Sequence, residues 1–285
     1  MDTRLVNIGY LCFIATALLY GTFGLFIRAL QAHFSDFGQV AVRSLGALLV
    51  AIVWAISSTT SHDRRAFFSL RVWGFGITFP IAMLLWTISI VWGTVRSGTF
   101  GLYFGSLTAS ILFGRIFFQE SITGKKIFCV AIALLGAATF ILPFDIADYT
   151  FASVCIGALG GCVQSLNLCY RRWLGDVSRP VVLVVQGAGG FVLCAGLAAL
   201  VSPEIPTASI VGWGLGLGYG ALSALVSYLL LVGARYIELS RGAIVLASDL
   251  VWATLFSALA LGEIPTPYQL VGCALLLGST VIGKL

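Results

Sequence analysis

Ten apolar runs, each about long enough for a helix to cross a bilayer, follow one another near residues 6–27, 37–57, 71–92, 95–118, 125–143, 151–170, 180–201, 210–233, 239–261 and 267–283. Short connections separate them and hold most of the charge, at Ser61–Arg65, Lys125–Lys126, Arg171–Arg172 and Arg235 to Arg241. With 59% hydrophobic and 9% charged residues over 285 positions, no soluble domain fits beside the runs, because charged residues alone are about a quarter of a globular chain. Hydrocarbon offers the backbone no hydrogen-bond partner, and the runs lack the alternation of a closed barrel. The expected fold is therefore an all-α integral membrane protein of ten transmembrane helices. The first run follows one basic residue, Arg4, with no small-residue cleavage pattern, and is expected to be retained as a helix.

The chain reads as a duplication. Arg28 and Arg171, Ser35 and Ser178, Gly46 and Gly189, and Glu120 and Glu263 are each 143 residues apart. Trp73-Gly74-Phe75-Gly76 resembles Trp213-Gly214-Leu215-Gly216 at an offset of 140, which places a small insertion near the third span. The halves are taken as residues 1–146 and 147–285. Five spans per half is an odd number, so the second repeat enters the membrane from the opposite side and the repeats are inverted.

Counting charges by loop sets the orientation. With the amino terminus inside, the inner face holds Arg4, Arg64, Arg65, Arg71, Arg115, Lys125, Lys126, Arg171, Arg172, Arg179, Arg235, Arg241 and Lys284, which is 13 of the 16 Lys and Arg. The outer face keeps Arg28, Arg43 and Arg96. The positive-inside rule then puts both termini in the cytoplasm of a plasma membrane, such as a bacterial inner membrane. The net charge of +5 is read as this topology signal, with membrane lipid as the surroundings and no nucleic-acid partner.

These residues resemble the drug/metabolite transporter superfamily, in particular its EamA-type ten-helix carriers. The resemblance rests on Leu261-Gly262-Glu263, Pro265, Thr266, Gln269, Gly272 and Gly278 in the second half. In the first half it rests on Glu120, Thr123, Ile127, Gly136, Tyr20-Gly21-Thr22, Arg28 and Arg43. It implies ten helices in two repeats and transport of a small molecule, with no cofactor. Many relatives carry a proline in the fourth and ninth helices. Neither Gly98–Phe118 nor Gly242–Leu261 contains one, which removes the usual reason to expect a kinked ninth helix.

Asp249 is the acid that lies within an apolar run, about 15 Å along its helix from Leu239 and hence near mid-membrane. An acid at that depth costs about 2.5–3.5 kcal/mol on insertion scales and normally faces a cavity or a partner. It is read as a proton-binding carboxylate or a counter-charge to a substrate ammonium group, against a structural pairing. Arg43 enters about 9 Å from the outer end of the second helix and is assigned a gating or structural charge, or a substrate carboxylate contact. Polar stripes at helical spacing add Thr99, Tyr103, Ser106 and Ser110; Gly160, Gln164, Asn167 and Arg171; Tyr219, Ser223 and Ser227; and Ser248 beside Asp249. For a single hydroxyl, a back-bond to its own helix is the favoured reading, whereas the amides of Gln164 and Asn167 need more partners than that. Trp86, Tyr228 and Trp252 are candidates for an aromatic wall. Glycines at Gly157 and Gly161, and from Gly212 to Gly220, predict close helix packing.

The residues support a secondary carrier that exports or exchanges a small polar metabolite such as an amino acid. A carrier of lipophilic cations is the alternative substrate class. A membrane-embedded enzyme would need GxSxG, HExxH or clustered His and carboxylates, and His33 and His62 both fall in connections; no metal site is expected. A membrane subunit that only packs against partners remains a third reading. Oligomeric state is not legible.

Overall fold

A computed structural model describes residues 3–58, 66–67, 69–142, 148–201, 209–262 and 264–284. The predicted helices are present, and the described residues include no strand. They are α1 (Thr3–Leu30), α2 (Asp36–Ser58), α3 (Leu70–Trp92), α4 (Val95–Phe118), α5 (Gly124–Ile141), α6 (Asp148–Trp173), α7 (Arg179–Val201), α8 (Ile210–Gly233), α9 (Leu239–Ala260) and α10 (Pro267–Lys284). Nine are long and apolar enough to cross a membrane; the apolar part of α10, Pro267–Gly283, is shorter. Leu11, Val53, Leu135, Val192 and Leu259 point outward, while Gln39, Arg43, Gln164, Asn167, Arg171, Gln186 and Asp249 are buried. That inside-out distribution suits lipid as the surrounding solvent. The protein is a multi-pass membrane protein.

Packing follows the duplication. The main contacts join α2 with α7, α5 with α10, α3 with α6 and α7, α8 with α1 and α2, α4 with α6, and α9 with α1. Exchanging each helix for the one five positions away maps this set onto itself: α2–α7 and α5–α10 onto themselves, α3–α6 onto α8–α1, α3–α7 onto α8–α2 and α4–α6 onto α9–α1. The backbone carries the same relation: among described residues the two with positive φ are Gln119 (54°) and Gly262 (67°), which are 143 positions apart. Each is the left-handed residue that ends a helix, α4 or α9, and each directly precedes a glutamate. The second of these glutamates, Glu263, lies outside the described residues, as does the charged connection Ser61–Arg65.

Small residues set the closest approaches. A Cβ on Gly101 or Gly105 of α4 would collide with the backbone of Val154 or Ala158 on α6, and one on Gly161 with the carbonyl of Leu102. The α4–α6 seam is thus backbone against backbone, as the Gly157 and Gly161 spacing predicts. On α8 the glycines divide: Gly212, Gly216 and Gly220 meet His33, Val42 and Arg43, whereas Gly214 and Gly218 face open space. Pro80 sits inside α3 and leaves the Gly76 carbonyl without its helical donor; Gly189 of α7 approaches that carbonyl too closely to carry a side chain.

Two spans are interrupted. In α1 the helix runs Thr3–Tyr20, breaks at Gly21-Thr22 and resumes over Phe23–Leu30. In α9 it runs Leu239–Leu246, breaks at Ala247-Ser248 and resumes over Asp249–Leu261. The α9 break occurs without proline and corrects the expectation of an unkinked ninth helix. Its local cause is visible in the hydrogen bonds. The Ser248 hydroxyl donates to the Val245 carbonyl at 2.7 Å, and the backbone N–H groups of Ser248, Leu250 and Val251 bond three residues back instead of four. Thr22 does the same in α1, its hydroxyl donating to Leu19 at 2.7 Å. The α1 break meets the start of the second α9 segment: a Cβ on Gly21 would lie 2.7 Å from the Cβ of Trp252 and 2.8 Å from the Ala253 nitrogen.

Gly105→Val and Gly161→Val are expected to lower the melting temperature of the detergent-purified protein sharply, since overpacking costs about 1–3 kcal/mol or more. Gly218→Ala, at a site with open space, is expected to leave it unchanged; equal losses at all three positions would refute the seam.

Candidate functional site

The interruptions place Asp249 in the first turn of the second α9 segment, where an acid complements the unpaired N–H groups and positive dipole end of a helix. The residue is buried beside Tyr103 and Leu250, and its Oδ1 has no hydrogen-bond partner. No Arg or Lys pairs with it: the three ion pairs among the described residues lie elsewhere.

A cavity of about 850 Å³ leads to this carboxylate. Its rim is built from helix ends on one face, at Arg28, Arg96, Ile264 and Gln269, and its floor from Tyr20, Trp86 and Asp249. The size is within the range of small-molecule sites. Below the floor, Tyr103, Ser106, Gln164 and Leu246 join the same three residues around an enclosed space of about 10 Å³, room for about one water. Gln164 Nε2 donates to the Tyr20 hydroxyl at 3.4 Å, and its Oε1 has no partner. Five residues singled out in the sequence, Asp249, Gln164, Tyr103, Ser106 and Trp86, therefore surround one region.

Others lie apart from it. Asn167 is turned to α3, where Thr78 donates to its Oδ1 at 2.9 Å and its Nδ2 donates to the Thr78 carbonyl. The Tyr219 hydroxyl accepts from Arg43 Nη1 at 2.8 Å, and its ring stacks on Phe26 and meets Phe23 edge-on, so these rings stand between Arg43 and the cavity floor. Ser227 serves Arg171 and Gln186. Ser223 is buried without a partner. Tyr228 packs on Trp54 and Arg179. Ser248 closes the α9 break, and Trp252 backs Gly21.

Several lining residues escaped the sequence reading: Tyr20, Gly24, Arg28, Arg96, Thr254, Ser257 and Gln269. Ala253 and Ser257 continue the face of Asp249 at four-residue steps, a usable signal. Within the unbroken second segment of α9, Leu250, Ala253, Thr254 and Ser257 face the cavity together with Asp249.

The opposite face is shut by charge. Glu120 Oε1 accepts from Arg172 Nη1 at 2.6 Å and from the Leu239 N–H at 2.9 Å, while Oε2 accepts from the Ser240 hydroxyl at 3.4 Å. Glu238 pairs with Lys126 at 3.0 Å and Arg241 at 2.9 Å. Glu120 thus ties the end of α6 to the N-terminus of α9, a favourable place for an anion. Gln119 turns the chain through its left-handed conformation, and Gly114 leaves room for the carboxylate, since a Cβ there would lie 2.7 Å from Glu120 Oε2.

A helical membrane bundle whose cavity enters from one face, stops at a buried acid and is sealed by ion pairs at the other has the build of a membrane transporter. Residues 154–283 match the model of the EamA-like transporter family, part of the drug/metabolite transporter superfamily. The crystal structure of another protein, 17% identical, superposes with a TM-score of 0.80 over 99% of this chain and 96% of that one, a likeness of fold. No curated protein matches the sequence significantly.

Glu120→Gln is expected to destabilise the purified protein by about 1–3 kcal/mol, the scale for weakening charge-assisted bonds at a buried group. An unchanged thermal transition would show that the carboxylate does not hold this face together.

Proposed function

We propose that the protein is a secondary carrier that moves a small polar metabolite, such as an amino acid or a derivative, by alternating access. The observation that carries this reading is a cavity running from one face to Asp249, a buried carboxylate without a basic partner at the meeting point of two interrupted helices. Discontinuous helices near the midplane are where carriers of this kind of architecture hold substrate and coupling ion. Asp249 binds a proton or a substrate ammonium group. Tyr103 and Leu250 orient it, and Gln164 supplies a free amide oxygen beside it. Trp86 and Tyr20 give the floor an apolar wall. The sealed face around Glu120 is the closed side of the cycle, and the repeats 1–146 and 147–285 exchange conformations to open it. The positive-inside count supports cytoplasmic termini in a plasma membrane, so that the cavity opens outward.

A lipophilic-cation carrier is the second reading, because Asp249 lies beside aromatic rings that attract a cation.

Asp249→Asn, reconstituted in proteoliposomes, is expected to abolish transport or flatten its pH dependence while the protein remains folded. Transport unchanged at every pH would remove the carboxylate from the mechanism. Competition by tetraphenylphosphonium but not by amino acids would favour the cation reading. In intact cells with the native cysteines replaced, Ile264→Cys is expected to react with an impermeant maleimide and Lys125→Cys to be protected. The opposite pattern would reverse the orientation.

A further inference from the structure

Arg171 is fully buried, yet it touches no carboxylate. Its Nη1 donates to the Ser227 carbonyl at 2.9 Å and its Nη2 to the Ser227 hydroxyl at 3.4 Å; its Nε has no partner, and the rings of Phe75 and Phe79 lie 4.9 and 5.5 Å away. Arg43 is buried too, with Nη2 unpartnered. Asp249 pairs with neither. A guanidinium keeps its charge in any protein environment, and a buried charge without a counter-charge is strongly unfavourable. Among the described residues, Arg43, Arg171 and Asp249 are thus the buried charged side chains outside the ion pairs of Glu120 and Lys126.

Position gives the imbalance a meaning. Arg171 is the repeat counterpart of Arg28, 143 residues earlier. Arg28 lines the open cavity and is held to the helix ends by Gln31 and the Gly93 carbonyl, again without a carboxylate. One arginine of the related pair stands at the accessible face and the other is enclosed towards the sealed face. When the repeats exchange conformations, Arg171 takes the environment that Arg28 has here.

We propose that Arg28 and Arg171 are equivalent anion-binding residues of the substrate path, one for each face, and that the substrate carries a carboxylate. This deepens the carrier reading and rests on it. The substrate carboxylate meets Arg28 on the open face, and meets Arg171 when the face of the termini opens. The planar fork of arginine suits a carboxylate, and the Nε of Arg171 is left without a hydrogen-bond partner. A substrate with both an ammonium and a carboxylate group would satisfy Asp249 and an arginine together.

The test is counterflow in proteoliposomes of known orientation, with a panel of radiolabelled L-amino acids and with their carboxamides and decarboxylated amines as competitors. The free acids are expected to compete and the carboxamides not. Arg171→Gln is expected to raise KM about tenfold for substrate offered at the face of the termini and to leave the opposite face little changed, with Arg28→Gln giving the reverse. Arg171→Lys should recover part of the loss. Should Arg171→Gln not fold, Arg28→Gln and the carboxamide competition still decide. Equal competition by carboxamides, equal KM changes at both faces, or a requirement for chloride in place of the carboxylate would each overturn the proposal while leaving the carrier reading intact. A wild-type protein that moves no member of the panel overturns both.

Discussion

Inside a hydrocarbon layer every backbone N–H and C=O must find a partner within the protein, because no water is available to replace one. Unbroken helices meet that condition along their length save where Pro80 frees the Gly76 carbonyl, and eight of the described spans are unbroken. The other two give up helical bonds at Gly21-Thr22 and Ala247-Ser248, and the first of these breaks packs against the α9 segment that follows the second. Hydroxyls from Thr22 and Ser248 occupy carbonyls at the breaks, and the missing Cβ of Gly21 lets the two backbones close up. What this local concession yields is a helix N-terminus in mid-membrane with an acid in its first turn. The cavity, the depth of its floor and the choice of lining residues all follow from it.

The spans were legible because their signal is length and apolarity, which need no partner to be read. Asp249 was legible for the same reason: an acid inside an apolar run stands out from its own neighbours. The break beside it was not, since neither proline nor glycine marks it. Gln164 and Asn167 looked alike in the sequence, three residues apart on one stripe. In the structure one faces Tyr20 and the other Thr78, because three residues turn a helix short of a full circle and different helices lie on either side. The role of Glu120 was hidden for another reason. It marked the repeat in sequence, but its partners Leu239 and Ser240 are about 120 residues away, and no local pattern announces a contact of that range.

The duplication makes the two faces comparable. Gln119 and Gly262 end their helices with the same backbone turn, one with a side chain and one without. The first has a cost that Gly262 avoids, because a residue with a Cβ is disfavoured at positive φ. That strain sits beside Glu120, whose three bonds hold the turn in place. The halves thus share a plan of packed pairs while differing in chemistry: Asp249 has Ser106 as its counterpart, and Arg43 has Gln186.

The glycine seam between α4 and α6 bears on how such a molecule can deform. Backbones in direct contact leave no side chains to repack between these two helices, and α3 packs on α6 beside them. Yet α3 and α4 come from the first half of the chain and α6 from the second. The most tightly joined group of helices is therefore assembled across the duplication, so the stretch of chain that was copied and the unit that is packed as one are different divisions of the same ten helices.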